Sequence, residues 1–570
     1  MRIKKTDSII SLIACFGLAS LILFADAIGL DDHAGWGRLR TISFLLCLSA
    51  GVLSFLPLLF PHQTEELLGR IKEVPLVISL LNSKPAVLLR EYAFLLPIMG
   101  FVFLIYIWLV SSGTWVNWRS PTRYYANLAR GFERGNLYIS TPPDPKLEEI
   151  SDPYDDALRI ENGIDIVPDA SYYNGRYYLY WGPVPAVFLI PVQSAYGGKV
   201  GDMQLVFFFT CGIFLVLSQF FILVRNRFFP NLPRWMLGMS ILLAGTASPV
   251  MYMLNGYNSA MIYEAAITGG QFFLASGILA AATSLGARAS YWRLALTGML
   301  WALAIGTRLN LMLPVAAMSF ILLVSWFSVK GHYFEKFASI SSLAFPLLLG
   351  GAVLGWYNWA RFGSITEFGL SYQLAWLHPQ KHYDDLFRVV YILQNIYNYV
   401  FRAFAFRTEF PFLYIEWGIK DPILASYPLP NFYNTQQITG ILFTTPFFVF
   451  AFAPLSWFIS GKSRMFLQQN NSLLWFLLML ASSSLAAFLF LMTFFWSAMR
   501  YLLDFVPSLL ALSVIGFWQG YTLLSDSPAH KVYIFFGSSL AGASILVSIL
   551  LAISINDARF QIIRFLELLS

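Results

Sequence analysis

Charge is scarce in this chain. Of 570 residues, only 12% are Asp, Glu, Lys or Arg, against about 25% in an ordinary soluble domain. Cysteine is scarcer still. Cys15, Cys47 and Cys211 are the only three, and each falls inside an apolar run. They read as small packed side chains and leave no disulfide or thiolate-metal framework. The six histidines show no ligand spacing. No GxxxxGK(S/T) loop, no GxGxxG after a strand and no HExxH occurs, which argues against an ATP-driven pump, a dinucleotide-type sheet enzyme and a zinc protease.

What is present is apolar surface. Hydrophobic residues make up 57% of the chain, and runs of roughly 20 recur from end to end, each long enough to cross the hydrocarbon core as a helix. Lipid offers no partner for backbone polar groups, so a spanning segment must be a helix or part of a closed barrel. Continuous apolar runs exclude the barrel. The pattern predicts an all-α polytopic membrane protein with about 13 crossings. Their approximate bounds are 8–30, 41–61, 92–112, 203–224, 235–253, 262–285, 294–306, 309–327, 338–357, 436–460, 473–495, 501–523 and 532–555. Ser8–Phe24 is long for a signal-peptide core, so the first run reads as an uncleaved anchor.

Charge placement orients the bundle. Arg70, Lys72, Lys84, Arg90, Arg225, Arg227, Arg234, Arg288, Arg293, Lys330, Lys336, Lys462, Arg464 and Lys531 all fall in alternate short loops on the side of the basic N-terminus. The positive-inside rule makes that side cytoplasmic. Two long segments, 113–202 and 358–435, then share the opposite face. The expected organisation is an N-terminal pair of crossings with a cytoplasmic loop at 1–91, followed by a membrane domain at 92–570. Tyr124–Phe132 has helical spacing and suits an interfacial helix, as do parts of 384–415. Thr141-Pro142-Pro143-Asp144-Pro145 cannot be helix interior.

The outer segments collect chemistry. Asp152, Asp155, Asp156, Asp165, Asp169, Glu367 and Glu409 are interspersed with Arg119, Arg123, Arg176, Arg361 and Arg407. Arginine binds phosphate oxygens in a fork, and a nearby carboxylate takes a proton from an attacking hydroxyl. The Tyr172-Tyr173-Asn174-Gly175-Arg176-Tyr177-Tyr178 block suits a sugar, because rings stack on C–H faces and phenols bond oxygens. The bland alternative is a solvated loop with interfacial aromatic anchors. Charges at the ends of apolar runs are more specific, since an intramembrane charge costs at least about 2.5 kcal/mol. Glu264, Arg308, Arg500 and Asp504 are four such charges, and all approach the outer face. Their bland readings are a helix-to-helix bond for Glu264, snorkelling for Arg308, and an i,i+4 ion pair for Arg500 and Asp504.

Four patterns carry a resemblance: Tyr124-Tyr125-Ala126-Asn127-Leu128-Ala129; the tyrosine block running to Gly182-Pro183-Val184-Pro185; Gly298 to Arg308 ending Gly306-Thr307-Arg308; and Asn358-Trp359-Ala360-Arg361-Phe362-Gly363-Ser364 with a later Arg500-Tyr501. Together they resemble polyprenyl-phosphate-dependent glycosyltransferases of the GT-C class, such as the family 39 protein mannosyltransferases and the aminoarabinose transferases of lipid A. The resemblance implies a GT-C-like bundle and transfer of a sugar from an isoprenoid phosphate to a cell-envelope acceptor on the non-cytoplasmic face, as at a bacterial inner membrane. Such enzymes often keep an acid just before the Tyr-Tyr helix. Arg119-Ser120-Pro121-Thr122-Arg123 stands there instead, leaving Asp169 as the nearest substitute and Glu264 as the second.

The expected site has Asp169 or Glu264 as base, with Arg308, Arg361 and Arg500 on the lipid phosphate. Arg123, Tyr173, Arg176, Tyr178, Tyr501 and Asp504 bind the substrate. No nucleotide is required, and no ligand cluster supports a divalent ion, although one is compatible with the chemistry. Two rival classes remain open on sequence alone: a transporter or flippase for an anionic or lipid-linked substrate, and a catalytically inactive scaffold of the same fold.

Overall fold

The computed structural model describes residues 37–59 and 91–555, part of 15–25, and none of 114, 116–117, 119, 197–199, 248, 255–260, 285–289, 329–331, 377 and 425–427. Most of the expected anchor at 8–30 lies outside these residues. So do Arg70, Lys72, Lys84, Arg90, Arg119, Arg288 and Lys330.

The chain divides into two compact units, the first ending at Trp118 and the second comprising Arg119–Ile555. In the first, α1 is Arg38–Leu59. A short 3-10 turn, Ala93–Leu95, leads into α2, Leu96–Val110. Pro97 sits in the opening turn of α2, the one place where a helix loses nothing by its missing N–H.

The second unit begins with α3, Tyr124–Glu133, then a two-stranded hairpin of β1 (Ser171–Tyr173) and β2 (Arg176–Tyr178). The helical bundle follows: α4 (Val184–Tyr196), α5 (Asp202–Phe228), α6 (Arg234–Thr246), α7 (Met261–Ser284), α8 (Tyr291–Thr307), α9 (Met312–Ser328) and α10 (Tyr333–Phe362). Gly363 ends α10 with φ 73° and returns its N–H to the Trp359 carbonyl, the left-handed stop that glycine adopts without a Cβ penalty. The second long segment then holds β3 (Ala405–Phe406), β4 (Leu413–Tyr414) and β5 (Asn434–Thr435). The chain closes with α11 (Asn471–Met492), β6 (Trp496–Ser497), α12 (Val506–Leu523) and α13 (His530–Ser554). Helix α7 packs between α5 and α8, α8 packs on α10, and α11 packs on α9 and α12.

Eight helices among the described residues are long and apolar enough to cross a membrane, and three apolar helices are shorter. The sequence pattern predicted about 13 crossings from runs of roughly 20 residues. Two of the expected crossings, 8–30 and 41–61, fall partly outside the described residues; the other differences have local causes. Helix α6 stops at Thr246 after 13 residues, short of Pro249, which cannot extend it. The tight pair at 294–327 is real, but its first member, α8, has only 17 residues. Residues 436–460 hold a 13-residue 3-10 stretch, Pro446–Phe458, with Pro446 at its start and Pro454 inside; each proline removes a donor.

The first outer segment carries the expected helix, α3. In 384–415 the expected interfacial helices are reduced to Ile392–Ile396 and a π-turn, Tyr397–Phe401, followed by the β3–β4 hairpin. Side chains compete there with helical bonding. Asn395 Nδ2 donates to the carbonyls of Leu491, Met492 and Phe494 at the end of α11, at 3.3, 2.9 and 2.7 Å. Asn398 Nδ2 bonds the Tyr433 hydroxyl at 3.0 Å.

Candidate functional site

Three joints place the site at the end of the bundle where the two long segments attach. The first is Asp202, at the start of α5. Its buried carboxylate accepts from Thr122 Oγ1 (2.6 Å), Tyr124 N (2.9 Å) and Tyr125 N (3.1 Å). A distant acid thus satisfies the orphan donors at the start of α3 and docks that helix on the bundle. The second joint is Gly182, whose N–H donates to Thr307 O at 3.2 Å. A Cβ on Gly182 would collide with the Gly306 carbonyl, so only glycine lets the chain after Trp181 close on the end of α8 beside Arg308. The third is the β5–β6 pairing, continued by Gln436 N to Ser497 O at 2.8 Å. It holds the 3-10 turn Met499–Asp504 against the second outer segment.

On this frame Glu264, Arg308, Arg500 and Asp504 meet. Arg308 Nη2 bonds Asp504 Oδ2 at 2.8 Å, and Asn310 Nδ2 bonds the same oxygen at 3.0 Å. Gln271, from α7, donates to the Asp504 carbonyl at 2.9 Å. Arg500 Nη1 donates to Gln436 Oε1 at 2.6 Å and lies 4.0 Å from Glu264 Oε1. Arg500 and Asp504 are not partners in an i,i+4 ion pair. Their turn is 3-10, which eclipses i with i+3 and sends the two side chains to different neighbours. Both arginines face one ring: Arg308 lies 5.5 Å and Arg500 5.1 Å from the Tyr501 centroid, and Arg500 also lies 4.8 Å from that of Tyr263.

Among the described residues, four buried polar atoms in this cluster have no hydrogen-bond partner: Arg308 Nε, Asn310 Oδ1, Arg500 Nε and Asp504 Oδ1. Each such atom costs about 1–3 kcal/mol.

Asp169 joins the same group. It is one of five non-glycine residues with positive φ among those described, at 62°, a sparsely populated conformation that costs of order 1–3 kcal/mol and gathers at working sites. The turn is fixed on both sides. The Tyr124 hydroxyl donates to Pro168 O at 2.7 Å, and Asp169 N donates to Leu374 O at 3.0 Å. Burial pushes the Asp169 carboxyl above the usual aspartate range. A hydrogen bond from Tyr263, the charge of Arg500 and a bond from Gln373 act in the opposite direction and do not cancel it.

The remaining sequence candidates sit elsewhere. Arg361 does not share the Arg308–Arg500 group. Its Nη1 donates to Leu179 O (2.7 Å), its Nη2 to Asn358 Oδ1 (2.7 Å), and its guanidinium lies 3.8 Å from the Tyr357 ring centroid. Tyr173 and Tyr178 pack on Phe362, Tyr173 also on Tyr372, and Arg176 covers the Tyr138 ring at 4.5 Å. The tyrosine block is therefore a hairpin packed into the loop structure, with Tyr173 and Tyr178 facing aromatic neighbours. Arg123 is exposed at the entrance to α3. Among the other outer acids, Asp152 bonds His378, Asp156 pairs with Arg159, and Glu367 holds Gly369 N and Ser371. Asp155 caps a short helix. Among the described residues no three His, Cys, Asp or Glu side chains gather as a metal site.

Several members of the cluster carried no signal in the sequence. Tyr263, Asn310, Gln436 and Gln271 are ordinary residue types inside or beside apolar runs. Asp202 had one: it is an acid that opens an apolar run, the signal that singled out Glu264.

No protein-family model and no curated protein sequence matches the chain. Among solved structures, the apo oligosaccharyltransferase of Archaeoglobus fulgidus overlaps 82% of this chain and 56% of its own at 13% identity, with a TM-score of 0.44. The Archaeoglobus fulgidus oligosaccharyltransferase AglB, in complex with an inhibitory peptide and a dolichol-phosphate, overlaps 83% of this chain and 56% of its own at 12% identity and a TM-score of 0.41. The chain thus spans little more than half the length of the structures it overlaps.

Proposed function

We propose that this membrane protein transfers a sugar from a polyprenyl-phosphate donor to a hydroxyl-bearing acceptor of the cell envelope, at the bundle end that carries the two long segments. That end faces away from the cytoplasm on the charge pattern of the loops. The observation that carries the proposal is the convergence of Arg308 and Arg500 on Tyr501, each with a buried Nε–H lacking a protein partner, beside the strained and half-buried Asp169.

In the proposed reaction an acceptor oxygen attacks the anomeric carbon. The bond from that carbon to the phosphate oxygen breaks, the polyprenyl phosphate leaves with the electron pair, and the acceptor proton passes to the Asp169 carboxylate. Donors fixed in a half-dry site stabilise the charge that grows on the departing phosphate. Arg500 is the better placed of the two, because Glu264 stands 4.0 Å away while Asp504 binds Arg308 directly. Glu264, against Arg500, keeps the guanidinium charged and aimed. A raised carboxyl pKa suits the base, since proton transfer is most efficient when the catalytic pKa approaches working pH.

The test is turnover of synthetic polyprenyl-phosphate sugars by purified protein in detergent. Asp169→Asn should lower kcat by about 10²–10⁴-fold with little change in KM, and Glu264→Gln should mainly weaken donor binding. Wild-type turnover in Asp169→Asn ends the base assignment.

A further inference from the structure

Asp169 belongs to the first outer segment, yet much of what holds it comes from the second. Asp169 N donates to Leu374 O at 3.0 Å, and Leu374 N returns a bond to Ala170 O at 2.8 Å. The ladder continues one step as an antiparallel bridge between Ser171 and Gln373. Gln373 Nε2 then donates to Asp169 Oδ1 at 3.2 Å. Residues 372–376 and 378 are tied to the first segment at several points. Arg159, buried at 2% exposure, donates from Nη2 to Ala375 O at 2.6 Å. His378 Nε2 lies 2.9 Å from Asp152 Oδ2, and the ring of Tyr372 packs 4.6 Å from that of Tyr173.

We propose that Gln373 is a positioning residue for Asp169: the strap it belongs to, residues 372–376, holds the aspartate in its left-handed turn, and the Gln373 amide fixes which carboxylate oxygen remains for the acceptor proton. With Oδ1 bonded to an amide, Oδ2 is the oxygen left for the acceptor proton, beside the Tyr263 hydroxyl that also bonds this carboxyl. The part concerning catalysis rests on the reading of Asp169 as base; the contact itself does not. A carboxamide is the right group here. It donates without carrying charge, so it orients the carboxylate without stripping the basicity that a lysine or arginine would remove. The other groups facing Asp169 are Tyr124 on α3, Tyr180 after the hairpin, Tyr263 on α7 and Arg500 on the 3-10 turn. None of them comes from the strap, so Gln373 can be changed without altering the charges around the carboxylate.

The experiment compares Gln373→Met, which keeps shape and loses the donor, with Gln373→Glu, which sets a second carboxyl opposite. Asp169 is observed directly by infrared difference spectroscopy of ¹³C-aspartate-labelled protein, with Asp169→Asn subtracted to isolate its band. In Gln373→Met its titration should move to higher pH by about half to one unit, and in Gln373→Glu by more. The acid limb of the turnover profile should move by the same amount, with kcat at neutral pH reduced about tenfold and KM unchanged. Should Gln373→Met misfold, Gln373→Glu alone decides. A titration identical to wild type in whichever variant folds overturns the proposal. If Asp169→Asn retains full turnover while the infrared band still moves, the contact stands and the catalytic reading of Asp169 is what fails.

Discussion

The pair formed by Arg308 and Asp504 shows how one residue's role depends on its neighbour. Asp504 has no exposed side-chain surface and Arg308 only 15%. Removing one partner strands the other charge out of water, at about 3–5 kcal/mol. Asp504→Asn should therefore lower the melting temperature sharply in detergent, whereas Arg308→Met with Asp504→Leu should recover much of that stability while abolishing turnover. Recovery of both would mean that the pair is structural. Asp169 gives the opposite signature. Its carboxyl pKa is raised by burial, so its contribution to stability is fully present below the unfolded value and is lost as pH rises through the folded one. Asp169→Asn should be at least as stable as wild type at neutral pH, and the difference should vanish on acidification. Thermal unfolding of both proteins between pH 4 and pH 8 checks it. The span-end charges Glu264, Arg308, Arg500 and Asp504 were legible as site candidates because a charge beside lipid is expensive. Gln373 and Gln436 were not, because an amide in a loop looks the same whether or not it faces a carboxylate.

At the scale of elements, the joints matter more than the helices. Long apolar runs announced α5, α7, α9, α10, α11 and α13 within a few residues. Helix α6 and the 436–460 region fell short where proline or local bonding interrupted them, which an apolar average conceals. The tyrosine block was visible as a cluster but not as a hairpin. Its turn, Asn174–Gly175 with φ of 49° and 69°, is a two-residue hairpin signal that its aromatic content overshadowed. The dock of α3 on α5 rests on one carboxylate, since Asp202 serves Thr122, Tyr124 and Tyr125 at once. Asp202→Ala should cost about 2 kcal/mol and expose residues 120–135 to limited proteolysis well before the rest of the protein. Unchanged proteolysis would show that α3 is held by its packing on α4 instead.

At the scale of the molecule, alternate helices bring their ends together. Helix α7 starts, α8 ends and α12 starts at the same place, so Glu264, Arg308 and Asp504, far apart in sequence, become neighbours by topology alone. The second outer segment then adds Gln436 to Arg500 and Gln373 to Asp169. Sequence periodicity reports one helix at a time, and therefore could not show that both long segments share a single site.

The central claim is that this cluster holds a lipid-linked phosphate. Native mass spectrometry of the purified protein titrated with a polyprenyl phosphate tests it most directly, comparing wild type with Arg500→Gln, a change that keeps a polar side chain and removes the charge. The account predicts one bound lipid phosphate in wild type and affinity at least tenfold weaker in the variant, a loss of about 1.4 kcal/mol or more. Equal binding by the two proteins, or none by either, would contradict it.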